Sequence, residues 1–292
     1  MVSIGLPVYN GERFIERAIQ SMVDQTLNDW ELIITDNGSE DRTEEIARRF
    51  AAADDRISYT RNATNLGASK NFEIAFEKAN GKYFAWLAYD DWFDARYLEE
   101  CVKVLDRDES AAMCFAEMGV VDDTGEVFRT KSEPVGPGIR SNSPTRRLHA
   151  LLWHLEDPTA PVFGLCRRHL LARTGLIRNA NEPDRILMAE LSMLGTIHQI
   201  PEVLFLHYGP AGHTDRDNWS WLNPKNRGKP RLATFRIGYH QMRAVLGSDA
   251  GIPSKTAMVA DLIVATVVKR TQGKLKALRK RRLKRRRAPA EA

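Results

Sequence analysis

"YFAWLAYDDWFD", residues Tyr83 to Asp94, is a run of six apolar side chains that ends, one residue further on, at two adjacent acids. An apolar stretch without polar alternation is the pattern of a strand covered on both faces, the central position of a parallel sheet. Ligands of such sheets bind beyond the carboxyl ends of the strands. Asp90 and Asp91 would stand at that edge, with aromatic side chains on both sides. Neighbouring carboxylates repel each other and an aromatic setting resists their hydration, so the pair calls for a compensating cation or for open solvent.

Working outward, strand and helix patterns alternate. "VSIGL" (Val2–Leu6) is a β-rich run ending at Pro7, and Ile15, Ala18, Ile19 and Met22 then share one helical face. "ELIIT" (Glu31–Thr35) is a second strand closed by the turn sequence "DNGS", followed by a helix over Arg42–Phe50. "RISYT" (Arg56–Thr60) is a third strand, and Phe72, Ala75, Phe76 and Ala79 mark the next helix. Leu98, Val102 and Leu105 face one way after the acidic pair, Ala111–Val121 is a fifth strand, and "DDTGE" reads as a hairpin turn. Repeated strand–helix units imply right-handed crossovers, hence an α/β fold with a Rossmann-like, mainly parallel central sheet flanked by helices. The second half is less regular. "EPVGPGIRSNSP" (Glu133–Pro144) has loop composition, helices are expected over Thr145–His154 and Arg185–Leu194, and a strand pair near His198–Tyr208. Beyond Asp215 the pattern is helical, which divides the chain into a domain over 1–215 and a helical extension with a basic tail over 216–292.

Apolar residues make up 43% of the 292, enough for a sizeable core, and the charged share of 28% is that of an ordinary soluble domain. Cys101, Cys114 and Cys166 form no CxxC pair, which points to a reducing compartment and away from a structural zinc site. The net charge of +5 is unevenly spread. Residues 269–292 hold twelve Lys and Arg against one acid, Glu291, a net +11, so the first 268 residues carry −6. Leu275, Leu278 and Leu283 are interspersed among those cations over Lys269–Arg287. This segment has the charge to lie on an anionic membrane surface, and without a reader motif a nucleic-acid partner is not expected. The start "MVSIGLPVYN" is not a signal peptide, and "LIVATVV" (Leu262–Val268) is too short to span a bilayer, so a cytoplasmic chain is expected, peripheral at the inner face of the membrane.

Each chemical motif has a structural alternative. Asp90 and Asp91 form a hard oxygen site suited to Mg²⁺ or Mn²⁺, or else a solvated turn whose Asp94 caps the next helix. Asp36 accepts hydrogen bonds from a base or ribose at the crevice, or else organises an Asx turn over Asp36–Gly38. "NLGASKN" (Asn65–Asn71) leads into a helix start that can offer N–H groups to phosphate, but neither GxGxxG nor GxxxxGK[ST] occurs.

Taken in order, "VSIGLPVYNGERFIERAIQSMVDQT", "ELIITDNGSEDRT" and "NLGASKNFEIAFEKANGKYFAWLAYDDWFDARYLE" resemble the nucleotide-sugar glycosyltransferases of family 2, which have the GT-A fold. The likeness is close over about the first 110 residues and looser to about Tyr208. It implies an inverting transferase that uses a nucleoside diphosphate sugar with Mg²⁺ or Mn²⁺, and the basic tail over Lys269–Arg287 adds the expectation of a glycan or lipid-linked acceptor. Pro7, Val8, Tyr9 and Asn10 would floor the nucleotide site, Asp36 would contact the base, and Asn65, Gly67 and Asn71 would line the donor pocket. Asp90 and Asp91 would serve the metal and diphosphate, with His207 in "LHYGPAGHT" as a further candidate. Ala88 and Asn37 stand where the family usually has acids. The catalytic base usually precedes a helix in the second half; "NEPDRILMAEL" fits, with Asp184 as base and Glu182 as the substitute, although Asp184 also stands where a helix N-cap would. Two other readings are a sugar-nucleotide-binding protein without turnover and a basic-tail adaptor for anionic polymers. Phe163 and Trp153 are available to stack on a sugar or to fill the core.

Overall fold

The computed structural model describes residues 1–122, 124–131, 136–180, 182–209 and 233–268. Among them run β1 (Val2–Val8), β2 (Trp30–Asp36), β3 (Ile57–Arg61), β4 (Tyr83–Trp86), β5 (Trp92–Phe93), β6 (Ala111–Val121), β7 (Val127–Lys131), β8 (Leu165–Arg167) and β9 (Thr196–Tyr208). The helices are α1 (Ile15–Val23), α2 (Thr43–Ala53), α3 (Ala68–Glu77), α4 (Tyr97–Arg107), α5 (Pro144–His154), α6 (Thr159–Val162), α7 (Arg168–Leu171) and α8 (Pro183–Leu194). Two more follow, Ala233–Gly247 and residues 252–268. The expected boundary at 215/216, the stretch Pro210–Ala211–Gly212 and the basic segment 269–287 lie outside the described residues.

The strands form one sheet in the order β3-β2-β1-β4-β8-β6-β9-β5, with β7 hydrogen-bonded to β6. From β3 to β4 every pairing is parallel, as the alternating pattern predicts. The short β8 then enters antiparallel between β4 and β6. β6 and β9 run parallel to each other and so share the direction of β4. Pro7 is tolerated inside β1 because the β1–β4 ladder ends at Gly5↔Trp86, so its missing N–H falls beyond that partner strand.

Trp86 fills the space under the sheet. It is 1% exposed, meets Phe84 edge-on at 5.0 Å, and satisfies its indole N–H on the Phe72 carbonyl of α3 at 3.1 Å. The same contact clamps α3 to β4, so the apolar run that announces the central strand also seats its crossover helix.

One expectation changes. Residues His198–Tyr208 are not a strand pair: they belong to the single strand β9, which stays on β6 throughout. Its register slips between Ile200 and Val203, where Pro201 and Glu202 bulge out, and that interruption mimics a turn in the sequence. The stretch Pro161–Leu171 contains β8 in the middle of the sheet, and Phe163 packs its ring on Phe205 at 5.5 Å, the core reading of that aromatic. Trp153 is half-buried, and its Nε1 donates to Asp261 at 2.8 Å.

Candidate active site

The carboxyl ends of β1, β2, β4 and β9 face one rim, and the residues singled out in the sequence collect there. The β1–β2 side is stitched by hydrogen bonds. The Asn37 N–H donates to the Val8 carbonyl at 2.8 Å, the Asn10 N–H to Ser39 Oγ at 2.9 Å, and the Gly11 N–H to Thr43 Oγ1 at 2.8 Å. Pro7 and Val8 are buried within β1, so they lie beneath the rim, and Tyr9 (39% exposed) and Asn10 form its surface. Gly11 is required by close approach: a Cβ there would lie 2.6 Å from Val8 Cγ2 and 2.9 Å from the Tyr89 ring.

Asp36 is fully buried. One carboxylate oxygen accepts from the Ser39 N–H (2.8 Å) and hydroxyl (2.6 Å), the other from the Tyr59 hydroxyl (2.6 Å), with the Arg61 guanidinium 3.7 Å away. The Asx-turn reading is the one that the geometry realises, and in this arrangement no carboxylate surface is open to a base. Burial first, and then the bond to Asp36, drive the Tyr59 hydroxyl well above its ordinary pKa.

Asn71 is likewise an internal bracket and not a pocket wall. It is 2% exposed, donates to the Thr35 carbonyl at 2.7 Å and accepts from Asn62 at 3.1 Å. Asn65 and Gly67 do reach the surface. The Asn65 side-chain oxygen accepts from Asn37 Nδ2 and from the Gly67 N–H, both at 2.9 Å. Gly67 opens α3 at φ +87°, a conformation that glycine adopts without strain, with nothing within 4 Å of where a Cβ would be.

The acidic pair lies where the chain leaves β4 in mid-sheet and re-enters as β5 at the far edge, crossing the rim between them. The Asp91 N–H closes a turn onto the Ala88 carbonyl at 3.1 Å. Asp91 is 1% exposed, and its Oδ1 accepts from the Tyr208 N–H at 3.0 Å and lies 2.9 Å from His207 Nδ1. This carboxylate therefore latches the end of β9 to the β4–β5 link. Asp90 is half-buried, and among the described residues no neighbouring side chain hydrogen-bonds its carboxylate. Burial, and then the charge of Asp91, push it up to about 7, with His207 opposing. Burial and both acids also push Tyr89 up to about 12.

Asp90, Asp91 and His207 are thus brought together, but as a hydrogen-bonded pair beside an uncompensated carboxylate. Among the described residues no group of three or more His, Cys, Asp or Glu side chains is placed to hold a metal ion, so the expected three-ligand set is not preformed. The donor chemistry that remains, the carboxylate oxygens of Asp90 and Asp91, suits a hard divalent cation.

Asp184 and Glu182 stand apart at the start of α8, without a hydrogen bond to the rim acids. The helix begins at Pro183, one residue before Asp184, so Asp184 occupies the first turn and is not the N-cap. Its Oδ1 accepts from the Arg185 N–H at 2.8 Å, and burial pushes it up to about 6. Glu182 is more exposed and pairs with Arg185 at 2.8 Å. Glu190 holds Arg178 at 2.6 Å and the Gly175 N–H at 2.8 Å, a bracing role. Asp94, three residues before α4 begins, takes the Arg96 N–H, but the N-cap position itself is Arg96 and not Asp94. Ser39, Tyr59 and Tyr208 hold the rim acids Asp36 and Asp91 by hydrogen bonds that sequence reading missed. Tyr59 is one of several alternating strand residues, and nothing local distinguishes it.

The family model for glycosyl transferase family 2 matches residues 3–174, more than half of the chain. The chain belongs to that family. The rim acids Asp36, Asp90 and Asp91 lie inside the matched region, and Asp184 and His207 lie beyond it. An uncharacterized glycosyltransferase of Rickettsia prowazekii is 35% identical over 107 residues, 37% of this chain; the match spans about a third (32%) of that relative's length. S. aureus TarS 1–349 in complex with UDP-GlcNAc superposes with a TM-score of 0.67 at 15% identity, over 90% of this chain and 72% of that one. Mannosyltransferase PcManGT from Pyrobaculum calidifontis in complex with GDP-Man and Mn²⁺ gives 0.54 at 15% identity, over 95% and 80%. At such identities the likeness is one of fold, and the fold of this chain is of the GT-A type.

Proposed function

We propose that the chain moves a sugar from a nucleoside diphosphate sugar to an acceptor hydroxyl, with inversion at the anomeric carbon. The observation that carries this reading is Asp90, a carboxylate on the sheet's carboxyl rim without a side-chain hydrogen bond among the described residues, inside a family 2 domain. In this reading Tyr9, Asn10, Asn65 and Gly67 face the nucleotide, and Pro7, Val8, Asp36 and Asn71 hold the floor beneath it rigid. Asp90 is the residue that would hold Mg²⁺ or Mn²⁺, with Asp91 and His207 fixing its position from behind. A divalent cation there supplies positive charge to a departing diphosphate.

Asp184 is assigned as the general base, with Glu182 as substitute. A carboxyl raised to about 6 is ionised at neutral pH yet more basic than an ordinary aspartate, the compromise that proton abstraction favours. The acceptor is assigned as a glycan or lipid-linked glycan, because the basic segment 269–287 has the charge to bring the chain to an anionic membrane. The division at 215/216 belongs to the same proposal, and no described helix is long and apolar enough to cross a membrane. Ala88, standing in place of an acid, favours one rival: a sugar-nucleotide-binding protein without turnover.

A thermal-shift panel of nucleoside diphosphates and their sugars, UDP and GDP series included, with and without Mn²⁺, separates these. A ligand at 100 times its Kd stabilises by about 2.7 kcal/mol. The expected result is Mn²⁺-dependent stabilisation by one nucleotide, lost in Asp90→Asn, together with nucleotide release from its sugar. Binding without release selects the rival, and silence towards every nucleotide rejects both.

A further inference from the structure

The helix over residues 252–268 presents two apolar faces. Its inner face, Met258, Leu262 and Ala265, is 1–2% exposed. Met258, with Val245 of the preceding helix, packs on Leu148 of α5 and Ala189 of α8. The outer face carries Ala257, Ala260, Ile263, Val264 and Val267, spaced to lie along one side, and all are exposed. Ile263, Val264 and Val267 are 51%, 50% and 58% exposed, and Ile252 at the helix start is 81% exposed. A helix face turned to water ordinarily carries Lys and Glu. In this helix the charged residues are Lys255, which donates to the Leu246 carbonyl, and Asp261, which accepts from Trp153 and pairs with His149. The outer stripe is therefore uncharged. Seventeen residues make a rod of roughly 25 Å, and the helix does not qualify as a membrane span.

The sequence that follows decides what covers the stripe. Twelve cations and one acid occupy residues 269–292. An occupant must offer both an apolar surface and dense negative charge within one helix length. Nucleic acid offers only the charge. A second copy offers the apolar stripe but brings a second +11 segment against the first, which opposes association. The interface of an anionic bilayer offers both.

We propose that the outer face of helix 252–268 is a membrane-seating surface, lying in the plane of an anionic lipid bilayer with Ile263, Val264 and Val267 at the acyl boundary and the following cations supplying the attraction. The surface is rooted on α8, whose first turn carries Asp184, so the proposed base and the seating surface share one helix. This deepens the lipid-linked acceptor reading and rests on it for the choice of partner.

The test is flotation of the full chain with vesicles of phosphatidylcholine alone, or of equal phosphatidylcholine and phosphatidylglycerol, comparing wild type with the double variant Ile263→Glu/Val264→Glu. Both positions are exposed, so folding is retained, which far-UV circular dichroism checks. The wild type is expected to float with the anionic vesicles alone, and the variant's partition coefficient to fall by about tenfold or more. Its nucleotide-induced thermal shift should be unchanged. Equal flotation of both proteins, lost only on deleting 269–292, overturns the proposal in favour of the tail alone. Flotation with phosphatidylcholine alone removes the role of charge and overturns it too. A wild-type dimer by light scattering that the substitutions dissociate, without vesicle binding, makes the stripe a contact between copies. The nucleotide shift is scored separately, so failure of the donor-site reading leaves the vesicle result interpretable.

Discussion

Replacing Asp90 by Asn should make the ligand-free protein more stable while removing its metal-dependent nucleotide binding. Asp90 stands at about 7 against the ordinary 3.8 of an aspartate, because burial and the neighbouring Asp91 disfavour its charge. One pKa step is worth about 1.4 kcal/mol, so the full gap is an upper limit of roughly 4 kcal/mol. The partial exposure of Asp90 and its coupling to Asp91 lower the expected gain to on the order of 2–4 kcal/mol. The sign follows from proton linkage. The folded state holds this proton more tightly than the unfolded chain, so wild-type stability declines as pH rises from about 4 through about 7. The gain from Asp90→Asn is thus complete above pH 7 and absent below pH 4. At about 2 °C per kcal/mol for a chain of this size, Tm at pH 8 should rise by roughly 4–8 °C. Thermal melts of both proteins at pH 8 and pH 4 read it. An unchanged or lower Tm at pH 8 refutes the electrostatic account, and an equal rise at both pH values shows a packing effect unrelated to charge.

Asp184→Asn should lower the transfer rate by about 10²-fold or more while leaving donor affinity intact, and the wild-type rate should climb through a limb near pH 6 as the base ionises; steady-state kinetics against pH checks both. His207→Ala removes a partner of the buried Asp91 and should destabilise by about 2 kcal/mol in denaturant melts. Because His207 opposes the rise at Asp90, the same change should move the pH midpoint of Mn²⁺-dependent nucleotide binding upward. Tyr59→Phe strips a 2.6 Å bond from the buried Asp36 carboxylate and should cost about 2 kcal/mol, read as a lower urea midpoint at an unchanged slope.

The parallel half of the sheet is legible in the sequence because its signals are local: apolar runs of strand length, amphipathic helices between them, and turn residues at each carboxyl end. Ala111–Val121 emerges with the expected bounds for the same reason. The second half resists reading because its order depends on distant pairings. Three residues, Leu165–Arg167, form a central strand that nothing in their own composition announces, and a bulge at Pro201 disguises one strand as two. At the site, the acids could be placed on the rim, but their partners could not. Whether Asp36 faces a ligand or a turn depends on Tyr59, which is 23 residues away. Which of Asp90 and Asp91 is already engaged depends on His207 and Tyr208, more than a hundred residues away.

The late arrival of β8 has a consequence for biosynthesis. Until residues 165–167 leave the ribosome, the inner flank of β4 has no neighbour, and an oily open edge invites pairing with other nascent chains. A fragment ending near residue 110, although it holds the rim residues from Pro7 to Asp91, should therefore aggregate when expressed alone. Extending it past Arg167 should begin to relieve that fault.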